Sequence, residues 1–243
     1  MKLIIDLGNT RVKVAVFEED NLEQFFVFSK EEFLEKIKSF SFKKKITHCI
    51  VSSVGNLSIE EEKEIRELYN PIFLTNQTKV PFTNLYKTPK TLGVDRIALA
   101  SAAIQKYSKQ NVLVIDAGTC ITFDFISKQD EYLGGAISPG IQMRYKALHN
   151  FTAKLPLLES GEFTDFIGFD TESSMHSGVL NGVCNEIDGV INQYSKKFQD
   201  LTVVLTGGDT NFLAKQLKSV IFAHPNFVLE GLHTILNYNL AND

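Results

Sequence analysis

Leu3-Ile4-Ile5-Asp6-Leu7-Gly8-Asn9-Thr10 opens the chain, and Arg11-Val12-Lys13-Val14-Ala15-Val16-Phe17 comes directly after it. An apolar run ends on an aspartate, a glycine turns the chain, and a β-rich run returns, which predicts strand, tight turn, strand. The same grammar recurs at Val112-Leu113-Val114-Ile115-Asp116-Ala117-Gly118-Thr119, followed by Cys120-Ile121-Thr122-Phe123-Asp124-Phe125-Ile126, one residue shorter at the turn. Asp6 and Asp116 lie 110 residues apart, about one domain's worth of chain. The elements after each copy are comparable too. After the first come a strand at Gln24–Phe28, a helix opening at Ser29, a buried strand at Ile46–Ser52, a helix opening at Ser58, a short strand at Ile72–Thr75 and a helix over Gly93–Tyr107. Ser29 with Glu32, and Ser58 with Glu61, have capping-box spacing. After the second come a strand ending near Ile137, a helix from Gly140, a long helix over Glu172–Phe198, a strand at Val203–Thr206, a helix over Gly208–Leu217 and a closing helix from Leu229. The pattern predicts an α/β protein of two similar halves, residues 1–110 and 111–243, with a cleft between them.

A turn whose backbone N–H groups point inward can cradle phosphate oxygens, and glycine lets the backbone come close. An aspartate at the preceding strand end can hold a cation that neutralises those phosphates. Asn9, Thr10 and Thr119 add side-chain donors. One such turn is ordinary punctuation; two copies, each opening a similar half, are far more specific. A third signal is Val203-Val204-Leu205-Thr206-Gly207-Gly208-Asp209, an apolar strand running into a glycine pair. Two hairpins from an old duplication, with no ligand, are the competing account. The phosphate loop GxxxxGK[ST], a GxGxxG after the first strand and the protein-kinase signatures are all missing.

Composition narrows the rest. The chain has 243 residues, 44% of them hydrophobic, and a net charge of −4, which gives no electrostatic case for a nucleic-acid partner. Cys49, Cys120 and Cys184 are isolated, so reduced thiols in the cytoplasm are expected rather than a disulfide framework. Cys120 reads as buried filler. The five histidines show no paired metal-ligand spacing, which argues against a zinc enzyme. No stretch reads as a signal peptide or a membrane span, and the chain is expected to begin with a core strand. Phe42-Lys43-Lys44-Lys45 reads as a solvated turn, and Asn76–Lys90 as a long loop of the kind that often carries function.

Gly93-Val94-Asp95-Arg96 starts an alanine-rich helix. A helix N-terminus keeps a carboxylate ionised, as a base accepting a hydroxyl proton must be. From the residues alone, Asp95 and Arg96 equally suit a first-turn pair that helps the helix begin. Taken in order, Asp6–Thr10, Gly93–Arg96, Asp116–Thr119, Gly134-Gly135-Ala136-Ile137-Ser138-Pro139-Gly140 and Thr206–Asp209 resemble the pattern of the type III pantothenate kinases over nearly the whole chain. The implied fold is two RNase H-like halves of the actin-like ATPase superfamily, in which phosphate turns face each other across a cleft and a Gly-Gly turn lies near the adenosine. The implied reaction is ATP-dependent phosphorylation of the pantothenate primary hydroxyl, the first step towards coenzyme A.

On that resemblance, Asp6, Leu7, Gly8, Asn9, Thr10, Arg11, Val12 and Lys13 bind the ATP phosphates, with Thr119 from the second turn. Asp95 is the proton acceptor. Gly93, Val94, Asp95 and Arg96 line the substrate site with Tyr86 and Thr171. Asp116 holds a monovalent cation, potassium or ammonium, beside the Mg²⁺ that ATP carries. A cytoplasmic homodimer is implied as well. Tyr86 also suits a loop anchor, Thr171 a helix N-cap, His176 a core or interface residue, and the glycines of 134–140 close packing. Three rivals remain: another small-molecule kinase of this fold, a non-catalytic transcription accessory factor, and an actin-like filament former. Gly93–Arg96 with Tyr86 disfavour the first, the acidic charge and lack of a DNA-binding motif the second, and the short length the third.

Overall fold

The computed structural model describes residues 1–39, 45–55, 57–161 and 165–242; Phe42–Lys44 of the charge run lie outside them. The chain divides into two compact units. One holds Met1–Ser108, Asp130–Tyr132 and Asn226–Asp243, the other Lys109–Gln129 and Leu133–Pro225.

In the first unit, β1 (Lys2–Leu7) pairs antiparallel with β2 (Val12–Glu18), and β2 with β3 (Asn21–Phe28). Then come α1 (Lys30–Ser39), β4 (His48–Ser53), α2 (Ile59–Tyr69), β5 (Ile72–Phe73), β6 (Thr83–Asn84) and α3 (Val94–Lys106). Both capping signals are realised. The Glu32 N–H donates to Ser29 Oγ at 3.3 Å, and Ser58 and Glu61 bond reciprocally. β4 lies parallel to β1 on its free side, giving the order β3-β2-β1-β4-β5. Because strand side chains alternate, Val12, Val14 and Val16 share one face with Leu3, Ile5 and Val51, packed on Phe33 and Ile37 of α1 and Ile65 of α2.

The second unit repeats the plan. β7 (Asn111–Ala117) and β8 (Cys120–Ile126) form a hairpin. They are followed by β9 (Glu131–Pro139), α4 (Ile141–Asn150), α5 (Thr171–His176), α6 (Gly182–Lys197), β10 (Leu201–Thr206), α7 (Thr210–Leu213) and β11 (Phe222–Ala223). The sheet runs β9-β8-β7-β10-β11, the same third-second-first-fourth-fifth order as in the first unit. β6 pairs with Glu131 and Tyr132, which belong to the first unit.

Three elements differ from the sequence pattern. The long helix is interrupted: a π-helical turn at Ser177–Asn181 separates α5 from α6. Gly178 and Gly182 stand in and beside that turn, and glycine weakens regular helix there. The helix expected over Gly208–Leu217 shrinks to the four residues of α7, since Gly208, Asp209, Thr210 and Asn211 all have poor helix propensity. The closing helix, α8 (Phe227–Ala241), packs in the first unit, on α3 and on β1, β2 and β4, whereas a split at residues 110 and 111 runs it with the second half. Its buried Leu229, Leu232, Ile235 and Leu236 cover the sheet face opposite α1 and α2.

Candidate active site

The first hairpin turn is closed by the Gly8 N–H donating to Arg11 O at 3.1 Å, with Asn9, Thr10 and Arg11 exposed at its tip. Leu7 and Val12 point into the core, so what they offer a ligand is main chain. Asp6 sits opposite Lys13 in the β1–β2 register and opposite Ser52 in the β1–β4 register. Three adjacent strands thus set Lys13, Asp6 and Ser52 in a row. Asp6 is 8% exposed. Burial pushes its carboxyl up to about 6; Lys13 pulls it down, and Asp95 pushes it further up. Among the described residues the wholly buried Ser52 hydroxyl has no partner of ordinary hydrogen-bond geometry, yet it lies close enough to Asp6 to favour the ionised form.

The influence of Asp95 on Asp6 joins two motifs that the sequence separates. Gly93 caps α3, and Asp95 is its second residue, a carboxylate oxygen accepting from the Arg96 N–H at 2.8 Å. Arg96 is only 5% exposed. Its guanidinium lies over the rings of Tyr86, at 5.7 Å, and Tyr132, at 6.0 Å. Such cation–π contacts are worth about 2 kcal/mol when desolvated. Tyr132 also meets Tyr86 at 6.1 Å and Phe82 at 6.0 Å. An aromatic cage therefore fixes Arg96, and Tyr86, nine residues before Asp95, is part of it. Tyr132 was not legible as a site residue, because only the pairing of β6 with the start of β9 brings it there.

In the second unit the Gly118 N–H donates to Cys120 O at 2.9 Å, closing the turn, and Thr119 is exposed. Asp116 stands between Thr122 of β8 and Thr206 of β10, the counterpart of the Lys13-Asp6-Ser52 row with two hydroxyl residues for a lysine and a serine. Gly207 has φ +98°, and a Cβ there would run into Ala117 O and the Asp116 carboxylate. The Asp209 N–H donates to Ala117 O at 3.0 Å, and burial raises the Asp209 carboxyl. The Gly-Gly turn is thus laid against the Asp116 turn. Gly140, which caps α4, donates its N–H to Thr119 O at 3.2 Å. Its missing Cβ would overlap the carbonyl oxygens of Gly118 and Thr119. The N-terminus of a ten-residue helix, with its partial positive charge, therefore sits on the second turn.

Thr171 is the first residue of α5, with an exposed side chain. The cap is Asp170, whose carboxylate accepts from the Ser173 N–H at 2.8 Å, so the capping role open to Thr171 belongs to its neighbour. Asp116, Thr119 and Thr171 lie in the second unit; Asp6–Lys13, Tyr86 and Gly93–Arg96 lie in the first. Cys120 is half-buried, while burial pushes the Cys49 thiol up and that of Cys184 up to about 11. Among the described residues no helix is long and apolar enough to cross a membrane.

Solved structures share the fold. A Campylobacter jejuni protein named as a Baf family transcriptional activator superposes with a TM-score of 0.64 at 24% identity, covering 98% of this chain and 99% of that one. A ROK family glucokinase from Streptomyces griseus gives 0.54 at 10% identity, covering 98% and 99%. At such identities the likeness shows the fold, that of the actin-like ATPases and ROK sugar kinases. Sequence relatives are nearer. A type III pantothenate kinase from Flavobacterium johnsoniae is 48% identical over 100% of both chains, and one from Bacteroides fragilis is 42% identical over 98% of each. The family model for type III pantothenate kinase matches residues 2–193. By that match and by full-length identity of this order, the chain belongs to the type III pantothenate kinases.

Proposed function

We propose that this chain transfers the γ-phosphoryl group of ATP to the primary hydroxyl of pantothenate, giving 4′-phosphopantothenate, the first step towards coenzyme A. Family membership supports the reaction. The observation that carries the residue roles is that, within one compact unit, Asp95 acts electrostatically on Asp6 while the neighbouring Arg96 lies over Tyr86. Phosphoryl transfer asks mainly for positioning and charge neutralisation. Asp6–Lys13 and Thr119 hold the phosphates, and the Gly207–Gly208 turn receives the adenosine. Residues 1–110 carry the acceptor site and first turn, residues 111–243 the second turn. Gly93–Arg96, Tyr86 and Thr171 hold pantothenate, with Arg96 kept rigid by its aromatic neighbours for an anionic group. Asp95 orients the hydroxyl and takes its proton as the new P–O bond forms and ADP leaves.

ATP brings Mg²⁺, which neutralises phosphate charge when bound. Asp6 suits a cation: its buried carboxyl is costly to ionise alone, and a nearby positive charge restores the ionised form. Asp116 suits a monovalent cation, potassium or ammonium, because Thr122 and Thr206 beside it add neutral oxygens rather than a competing lysine. The enzyme works in the cytoplasm as a homodimer. Phe151, Phe166 and Phe169 of the second unit, 88%, 76% and 88% exposed, support a partner surface, since large exposed aromatics mark association sites.

ATP consumption measured with and without pantothenate, in potassium-free buffer and with potassium added back, tests the whole reading. Turnover is expected only with both present. Pantothenate-independent turnover, or none at all, overturns the kinase assignment; full activity without potassium or ammonium overturns the role of Asp116 alone.

A further inference from the structure

Tyr145, the fifth residue of α4, is wholly buried in the cluster that holds Ile141, Val179, Leu180 and Val183. Its hydroxyl lies 2.7 Å from Nδ1 of His176, the last residue of α5. Burial pushes the phenol up to about 12, so the hydroxyl keeps its proton, and the direction of the bond is set by the imidazole tautomer. This polar bond in an apolar core joins two parts of the second unit. At the near end, α4 rests on the second phosphate turn through Gly140 and Thr119. Arg144 stiffens it by donating to Pro139 O at 2.9 Å and pairing with Glu186 of α6 at 2.5 Å. At the far end, His176 closes the helix that begins with Thr171. The segment before that helix is held by the same region. Ser177 Oγ donates to Phe166 O at 2.7 Å, and the His176 ring packs on Gly161.

The π-helical turn starts immediately after His176. Such turns are rare and are retained most often where function sets the register. At its start adjacent residues serve two different partners, His176 bonding α4 and Ser177 bonding the preceding segment.

We propose that the Tyr145–His176 hydrogen bond is a positioning link that couples ATP on the second phosphate turn to the helix presenting Thr171, so that bound nucleotide tightens the hold on pantothenate. The link rests on the proposed roles of Thr119 and Thr171. α4 acts as the rigid element between them: it moves with the turn at its N-terminus and carries α5 through the buried hydrogen bond. Neither Tyr145 nor His176 touches substrate. Coupling of this kind is reciprocal, so pantothenate tightens nucleotide by the same factor.

Calorimetry on the full chain tests it: pantothenate affinity is measured with and without a non-hydrolysable ATP analogue and Mg²⁺. The wild type is expected to show tightening of about 5-fold or more, as coupled sites do. In Tyr145→Phe, nearly isosteric but lacking the hydroxyl, that factor is expected to fall at least about threefold, with affinity for either ligand alone within about twofold of wild type. In steady state, KM for pantothenate rises and kcat is retained. His176→Asn, whose amide can donate or accept near the place of Nδ1, is expected to retain the coupling. His176→Leu loses it and supplies the same readout if Tyr145→Phe does not fold. A purely structural bond would lower thermal stability and leave the coupling factor unchanged, and an unchanged factor in Tyr145→Phe or in His176→Leu overturns the link, as does a wild-type factor of about one. Thr171→Ala separates the two levels. If it leaves pantothenate affinity intact, the substrate role of Thr171 and the link both fall. If it weakens pantothenate while Tyr145→Phe keeps its coupling, the link alone falls.

Discussion

Asp95 sits second in α3, with a carboxylate oxygen accepting from the Arg96 N–H. Asn keeps the size and the position but cannot accept a proton as a carboxylate does. Asp95→Asn is therefore expected to lower pantothenate turnover about a hundredfold to ten-thousandfold, with nucleotide affinity little changed. A residue that merely starts the helix would cost roughly a kcal/mol of stability and leave turnover near normal. Kinetics and thermal unfolding on the same variant decide, and turnover within a few-fold of wild type would move the base elsewhere. Asp6 makes the opposite case, because its folded carboxyl titrates at about 6 rather than its ordinary 3.8. The unfolded chain gives up this proton first. The stability it allows is thus fully present below about pH 4 and is lost as pH rises through about 6, by about 1–3 kcal/mol. Asp6→Asn is expected to unfold at higher temperature than wild type at neutral pH, with the gain gone in acid, while binding Mg-ATP more weakly. An equal gain at both pH values would remove burial of the charge as the cause. Asp6 could be singled out from its motif. Its perturbation could not, because it comes first from burial, and then from Lys13, Asp95 and Ser52, and burial exists only in the folded chain.

At the scale of elements, the strand-turn-strand units, the Ser58–Glu61 capping box and the Ser29 cap were legible because local rules govern them: alternation fixes the strand faces, and Ser with Glu three residues on marks a helix start. The π-helical turn and the short α7 were not. Each is a local departure from helix that glycines permit but packing selects. Gly207 shows how packing reads back onto sequence. Its positive φ and the absence of a Cβ let β10 deliver the Gly-Gly turn onto Asp116 and Ala117. Gly207→Ala is expected to cost about 1–3 kcal/mol from backbone conformation alone, with a further loss from the overlap, and to weaken nucleotide binding more than pantothenate binding. Denaturant unfolding with separate affinities for the two ligands checks this. A stable variant with normal nucleotide affinity would show that the turn tolerates a side chain and lies away from the adenosine.

For the whole molecule, the expected assembly is a homodimer. Three phenylalanines lie more than three-quarters exposed along one segment of the second unit, and burying them is the main gain that association offers. Light scattering at micromolar protein should give twice the chain mass of 27.3 kDa, and Phe166→Ser with Phe169→Ser should shift it towards the single chain. A wild-type mass of 27.3 kDa sinks the idea. The duplicated Asp-x-Gly hairpins, the order of strands and helices after each, and the family pattern were set down in the chain itself, because periodicity, turn chemistry and capping act over a few residues. Only the tertiary structure decided that α8 returns to cover the first sheet, that Tyr132 and Tyr86 enclose Arg96, and that Tyr145 meets His176. Those outcomes depend on which apolar face is left uncovered and which buried polar group still needs a partner, and neither exists until the chain has folded.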